Sequence, residues 1–245
     1  MAKPSAVKDG HLTLPLFHGT SSLHYDSIRL TGLGGRDVVE EMGIGNAARV
    51  LLEMSANFAQ EQDWLFDIDS CRRIASDPAT DRLGETKSGF FFSYRYGGTY
   101  LSASRETAAM YSFLYDGGGE ALTHILKLHR RLVAARPEVV AIGELASLVE
   151  FANRPAKPLI VEARNVKLEA IRTEQGGGLD YLLESIATAL EDPEYYDALV
   201  GQHNFELMYQ VPSNQLFFHD VRKVREFDDF GGSREILQFS PYEPI

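Results

Sequence analysis

Apolar residues along this chain recur with the two-residue period of strands in some segments and with the helical period in others. Short apolar runs bounded by turn residues predict strands over residues 14–18, 90–96, 99–103, 123–129, 159–166, 204–211 and 215–224. Helical spacing predicts helices over residues 22–31, 46–68, 104–115, 137–152 and 179–200, and the polar segment 70–88 predicts a loop. Strands and helices do not alternate strictly, which favours an α+β fold over a doubly wound sheet.

Length and composition are those of a globular protein that needs no disulfides. The chain has 245 residues, of which 44% are hydrophobic, and it shows no internal repeat or low-complexity tract. We therefore expect a single domain over residues 1–245, with helical insertions at about 37–88 and 137–200. The single cysteine, Cys71, excludes an internal disulfide and a multi-cysteine zinc site, and the histidine spacings predict no metal site.

Charge narrows the choice of partners. The net charge of −11 and the pI near 5.1 disfavour a nucleic-acid backbone as the ligand. No apolar run is long enough to span a bilayer, and the N-terminal residues lack the apolar stretch of a secretory signal. The expected location is cytoplasmic, or a target cell that the protein reaches without a classical signal peptide, and no membrane partner is expected.

The alternation of side chains along the predicted strands places several polar residues together. In the segment 204–211, Glu206 lies on one face, and the residues of the opposite face are expected in the core, namely Phe205, Leu207, Tyr209 and Val211. Tyr100 and Ser102 share a face of their own strand. The helix that follows can fold Tyr111 toward Tyr100, and two phenol rings held in this way form a slot for a planar aromatic ligand.

Three short motifs resemble those of a known family. They are His18-Gly19-Thr20, Gly98-Thr99-Tyr100 followed eleven residues later by Tyr111, and Glu206 on a strand that ends at Val211-Pro212. Their order and internal spacing are similar to those of the ADP-ribosyltransferase superfamily, in the His-Tyr-Glu branch of diphtheria toxin and the poly(ADP-ribose) polymerases. The first motif continues with the branch pattern of an aromatic residue, Ile and Gly-Leu at Tyr25, Ile28, Gly32 and Leu33.

The resemblance implies a fold, a co-substrate and roles for individual residues. The fold would be two packed, mainly antiparallel β-sheets around an NAD cleft, with NAD as co-substrate and no metal. His18 would bind a ribose hydroxyl, and Glu206 would bind the 2′-hydroxyl of the nicotinamide ribose and stabilise positive charge on that sugar. The implied catalytic residues are Glu206, His18 and Tyr100. The implied NAD contacts are His18, the Gly19 backbone, Thr20, Tyr100, Ser102 and Tyr111, with the two tyrosines stacking on the nicotinamide ring.

Three positions depart from the family pattern. The arginine that follows Gly-Leu in some members is absent, because Gly34-Gly35 comes next, so the contacts with the adenosine side of NAD are unassigned. The polymerases have an amide-binding serine three residues before the second tyrosine, and this chain has Ala108 there, so Thr107 or Ser102 would have to replace it. Arginine-specific members of the sister branch have Glu or Gln two residues before the catalytic glutamate. This chain has Asn204, which makes arginine a less favoured acceptor.

We therefore expect an ADP-ribosyltransferase that moves one ADP-ribose to a macromolecule, with protein favoured over nucleic acid. A toxin or effector role would suit a small catalytic domain of this family. The alternatives are the same enzyme acting on nucleic acid, an NAD glycohydrolase with water as acceptor, and a non-catalytic module that binds NAD or ADP-ribose. The segment 37–88, with Trp64 and Phe66, is either a structural cap or a surface that meets the acceptor.

Overall fold

The protein has an α+β fold of helices and antiparallel sheets, organised in two compact units. The structure is a computed structural model, and it describes residues 5–58, 62–76, 82–85, 91–94, 98–174, 178–190, 192–201, 203–227 and 233–244. The first unit comprises residues 1–35, 99–114 and 156–245, and the second comprises 36–98 and 115–155. Each unit has its own cluster of buried hydrophobic side chains.

The bounds of the strands and helices are as follows. The strands are β1 Val7–Lys8, β2 His11–Leu12, β3 Leu16–Ser21, β4 Arg82–Glu85, β5 Phe91–Tyr94, β6 Thr99–Ser102, β7 Pro158–Ala163, β8 Ile171–Thr173, β9 Asn204–Leu207, β10 Leu216–Phe227 and β11 Ser233–Pro241. The helices are α1 Tyr25–Thr31, α2 Val38–Glu41, α3 Ile44–Met54, α4 Leu65–Ser76, α5 Arg105–Leu114, α6 Glu120–Ala135, α7 Gly143–Ala152, α8 Leu179–Ala189 and α9 Pro193–Val200.

A seven-stranded antiparallel sheet is the framework of the first unit. Its strand order is β11-β10-β7-β3-β6-β9-β8, so β3 lies at the centre. We expected two packed sheets, but the described strands of this unit form the one large sheet and the small β1-β2 pair. Distant segments of the chain thus become neighbours, because β3, β6 and β9 lie side by side although they are far apart in sequence.

The two faces of this sheet carry different side chains. Leu16, Leu101 and Phe205 belong to the large buried cluster, and we call their side of the sheet the core face. Phe17 and Ile160 point to the other side, where they pack against Ala108 and Ala109 of α5, and we call that side the helix face. Because side chains alternate along each strand, each of the remaining residues of the sheet can be assigned to one of the two faces.

The strand that carries Glu206 is shorter than the sequence pattern predicted. It ends at Leu207, and the backbone N–H of Met208 then donates to the carbonyl of Ala170 over 2.8 Å. The turn interrupts the alternation, so Tyr209, which we expected in the core, is exposed. Val211 returns to the fold by a bridge to Leu33 and is buried as predicted.

The second unit is mainly helical and corrects three predictions. Residues 123–129, predicted as a strand, lie within the helix α6. The predicted helix 46–68 is two helices, α3 and α4, and α4 continues into the segment that we predicted as a loop. Trp64 is only 9% exposed and stacks on Phe58 with ring centroids 4.4 Å apart, so it belongs to the hydrophobic core of this unit.

Two further predictions concern the segments 137–200 and 90–96. The expected helical insertion at 137–200 is not continuous, because α7 belongs to the second unit while β7, β8, α8 and α9 belong to the first. Of the predicted strand 90–96, the structure describes only β5, and the expected turn at Gly97 lies outside the described residues. In the described part of the chain, every helix is too short or too polar to cross a membrane.

Candidate active site

His18 joins the central strand β3 to its neighbour β6. The backbones of β3 and β6 pair at Phe17 and Ser102, and beyond that pair the imidazole of His18 bonds to β6. Its Nδ1 lies 2.8 Å from the carbonyl oxygen of Tyr100, 82 residues away in sequence. The ring therefore takes a place at the strand edge that a backbone group would otherwise fill.

The environment of His18 determines its tautomer. A carbonyl oxygen can only accept a hydrogen bond, so Nδ1 carries the hydrogen in the bond to Tyr100. Burial lowers the pKa of His18 below the ordinary value of 6.5, against the opposing effect of the bond to Tyr100, and His24 lowers it further. At neutral pH the imidazole is therefore uncharged, and Nε2 is a hydrogen-bond acceptor.

Tyr100 and Glu206 lie directly opposite each other on β6 and β9. Residues opposite each other in an antiparallel pair point to the same side of the sheet, with Cβ atoms about 5 Å apart. Their neighbours Leu101 and Phe205 are on the core face, so Tyr100 and Glu206 are on the helix face. The residues predicted to be catalytic thus lie on three adjacent strands, but alternation places the His18 side chain on the core face, opposite to the side chains of Tyr100 and Glu206.

Glu206 is a buried carboxylate with a cationic partner that the sequence analysis missed. Arg172 lies opposite it on β8, and Nε and Nη2 of its guanidinium donate to the same oxygen, Oε2, over 2.8 and 2.7 Å. The only signal for Arg172 in the sequence is that it stands between Ile171 and Thr173, an apolar-polar alternation too short to predict a strand.

At Gly19 the strand β3 lies very close to the backbone of α5. A Cβ atom at this position would lie 1.8 Å from the carbonyl oxygen of Ala108. Only glycine allows the helix to pack so closely on the strand. Gly19 therefore has a packing role in addition to the backbone contact with NAD that the family resemblance implies.

Tyr111 is on the same side of the sheet as Tyr100. The helix α5 turns Ala108, Ala109 and Ser112 toward the helix face, and Tyr111 lies next to this buried stripe with 37% of its surface exposed. A ring in this position is accessible to a ligand. That the two tyrosines stack on one ligand stays a prediction.

Thr20 and Ser102 are both buried, and each has a place in the sheet. Ser102 accepts a hydrogen bond from the backbone N–H of Ser104 over 3.1 Å, in the turn that leads into α5. Alternation places Thr20 with His18 on the core face, opposite to Gly19, Tyr100 and Glu206. The predicted contacts of Thr20 and Ser102 with NAD stay predictions.

Cys71 and Glu162 are two other potentially reactive groups in the described residues. The thiol of Cys71 is buried, which together with nearby Asp67 raises its pKa to about 12 and makes it a poor nucleophile. No group of three or more His, Cys, Asp or Glu side chains in the described ranges could hold a metal ion. Glu162, on β7, is another buried carboxylate, and like Glu206 it binds an arginine, Arg164, together with His219.

Comparisons of the chain with protein-family models, with curated proteins and with solved structures found no match.

Proposed function

We propose that the protein is an NAD-dependent ADP-ribosyltransferase with the His-Tyr-Glu arrangement and an ADP-ribosyltransferase-like fold. The observation that carries the proposal is that the strands of His18, Tyr100 and Glu206 are adjacent in one sheet, with Tyr100 opposite Glu206 and His18 bonded to the Tyr100 carbonyl. The sequence motifs alone required only the right order along the chain. The hydrogen bond from His18 to the Tyr100 carbonyl and the register of Tyr100 with Glu206 are independent of that order.

His18 has the chemistry needed to hold a ribose. Its Nδ1 is engaged with Tyr100, and its neutral ring leaves Nε2 as an acceptor. A ribose hydroxyl is a donor that matches such an acceptor. The bond to Tyr100 also fixes the plane of the ring, so the acceptor has a defined direction before NAD arrives.

Glu206 has the chemistry needed to promote loss of nicotinamide. When the bond between nicotinamide and its ribose breaks, positive charge develops on the sugar, and a carboxylate held nearby stabilises it. Glu206 is largely shielded from water, where such an interaction is stronger than in solvent. Tyr100 and Tyr111, on the same side of the sheet, would hold the nicotinamide ring between them.

The acceptor is proposed to be a macromolecule that receives one ADP-ribose, with protein favoured. The net charge of −11 supports a protein over a nucleic acid, because phosphate backbones are repelled on average. A role as a toxin or effector follows from the family resemblance alone.

The catalytic part of the proposal is tested with Glu206→Gln. This variant keeps the shape of the side chain and removes its charge, so nicotinamide release from NAD should fall on the order of 100- to 1000-fold while NAD binding is retained. Release is measured with labelled nicotinamide and binding by calorimetry. The matched control is Glu162→Gln, because Glu162 is an equally buried glutamate of the same sheet with an arginine partner. Wild-type turnover in Glu206→Gln contradicts the assignment.

The acceptor is identified with adenine-labelled NAD and a cell lysate. Label that becomes bound to macromolecules and is released by protease supports a protein acceptor, whereas release by nuclease indicates a nucleic acid. Nicotinamide release without bound label indicates a glycohydrolase. Binding of NAD with neither reaction, in the wild-type protein, indicates the non-catalytic module.

A further inference from the structure

Arg172 has a position in the sheet that ties it to Glu206. The register pairs Tyr100 with Glu206 and Glu206 with Arg172, so the three residues form one row across β6, β9 and β8. All three side chains therefore point to the helix face. Arg172 stands at the end of this row, on the last strand of the sheet.

The contact between the two side chains is directional. Both donors of Arg172 go to Oε2 of Glu206, at 2.8 and 2.7 Å, which is the short range of charge-assisted hydrogen bonds. The Glu206 side chain is 11% exposed, whereas that of Arg172 is 47% exposed. The arginine thus reaches in from solvent and holds a carboxylate that is mostly out of water.

The strand β8 is attached to the sheet by contacts other than this ion pair. Its three residues pair with Leu207, Glu206 and Phe205 of β9, and Ile171 and Thr173 are buried on the core face. Backbone pairing and apolar burial attach the strand. The effect of the ion pair is therefore concentrated on the carboxylate, because a buried charge is costly unless it is paired and hydrogen-bonded.

We propose that Arg172 is a positioning residue that holds the Glu206 carboxylate in the correct orientation for the reaction. This inference rests on the proposed function. The planar guanidinium fixes direction as well as charge, which a lysine ammonium does not do equally. Loss of Arg172 should therefore affect the rate of nicotinamide release more than the binding of NAD.

The test compares Arg172→Ala and Arg172→Lys in nicotinamide release from NAD. We expect Arg172→Ala to lower kcat about 10- to 100-fold, because a misplaced catalytic group costs a rate factor of that order. NAD affinity and KM should change little. Arg172→Lys should recover part of the rate, and guanidinium ion at millimolar concentration should recover part of it in Arg172→Ala. Arg172→Gln gives the same comparison if the alanine variant does not fold.

Arg164→Ala is the matched control. Arg164 also binds a buried glutamate, Glu162, and the side-chain exposures of that pair are 52% and 9%. Both substitutions thus remove a half-exposed arginine from a buried carboxylate of the same unit. Glu162 keeps a second partner, His219, so the two melting temperatures need not fall equally. A merely structural role predicts that the rate falls only as far as the melting temperature does in each variant. The positioning role predicts that only Arg172→Ala loses kcat.

A double substitution separates the possible outcomes. If Arg172 acts through Glu206, adding Arg172→Ala to Glu206→Gln should cause almost no further loss of rate. Full additivity, loss of NAD binding instead of kcat, or equal behaviour of the Arg172 and Arg164 variants would overturn the role of Arg172 alone. A folded wild-type protein that releases no nicotinamide would overturn the transferase proposal, and the role of Arg172 with it.

Discussion

At the scale of single residues, the two ring nitrogens of His18 have different roles, one in the fold and one in the proposed binding of NAD. Its Nδ1 serves the fold through the Tyr100 carbonyl, and its Nε2 serves the proposed ligand. The two nitrogens can be separated by substitution, because an asparagine amide can replace Nδ1 as a donor but does not reach the position of Nε2.

We expect His18→Asn to keep most of the stability of the protein and to weaken NAD binding. The loss of one neutral hydrogen bond corresponds to about 1 kcal/mol, or roughly a five-fold rise in Kd. Calorimetric titration with NAD and thermal unfolding of the same samples measure the two effects. An unchanged Kd would contradict the contact of Nε2 with the ligand.

The pH dependence of the wild type provides a second measurement at this residue. The unfolded chain binds a proton at His18 near pH 6.5, whereas the folded protein binds it only at lower pH, because burial lowers the pKa. The free energy of unfolding should therefore fall as the pH decreases below about 6.5. NAD binding should weaken only at the lower pH at which the folded protein binds the proton, since protonation removes the acceptor. His18→Asn should lack this part of the pH dependence.

Some of the site residues could be identified from the sequence, and Arg172 could not. His18, Tyr100 and Glu206 stand in recognisable motifs, and their strands β3, β6 and β9 were predicted. Arg172 belongs to no motif, and it became visible only through the pairing of β8 with β9. A partner brought in by strand pairing leaves no local pattern, so it could not be predicted.

At the scale of elements, the position of α5 on the helix face depends on its close contact with β3. Gly19→Ala would place a methyl group against the backbone at Ala108, and a backbone atom cannot rotate away. We expect α5 to shift and the unfolding free energy to fall by about 1–3 kcal/mol or more, as in other overpacked interiors.

The control for this variant is Gly45→Ala in α3. Its nearest neighbour would be the carbonyl of Ile74 at 3.7 Å, and the position is helical, so alanine should stabilise by about 0.5–1 kcal/mol. Chemical denaturation followed by circular dichroism measures both variants. If Gly19→Ala were as stable as the wild type, the packing described for α5 and β3 would be wrong.

The strand that was predicted wrongly at residues 123–129 has a physical explanation. The run Thr123 to His129 is short, apolar and β-branched in part, and such a run fits a strand or a buried helix equally well. In α6 the apolar residues of this run, including Leu128, belong to a stripe that continues to Leu132 and is buried against other helices. Tertiary packing decided between two local structures that the pattern alone did not distinguish.

At the scale of the whole molecule, two units with separate cores should be distinguishable in unfolding experiments. Trp64 is the only tryptophan of the chain, and it is buried in the core of the second unit. Its fluorescence therefore reports on that unit alone, whereas circular dichroism reports on both.

We expect Gly19→Ala to lower the melting temperature seen by circular dichroism and to leave the Trp64 transition almost unchanged. Gly45→Ala should raise the Trp64 transition, because Gly45 and Trp64 belong to the same unit. The two probes are recorded on one sample during heating. Equal shifts of both probes in both variants would show that the molecule unfolds as one cooperative body.

The order of strands in the sheet also has a consequence for biosynthesis. Synthesis proceeds from the N-terminus, so His18 and Tyr100 leave the ribosome long before Glu206 does. The centre of the sheet pairs β3 with β7 and β6 with β9, and such distant pairings form slowly. A nascent chain from which β9 has not yet been synthesised lacks the carboxylate of Glu206. If the proposed chemistry is correct, the cell that makes this protein is exposed to no activity from incomplete chains.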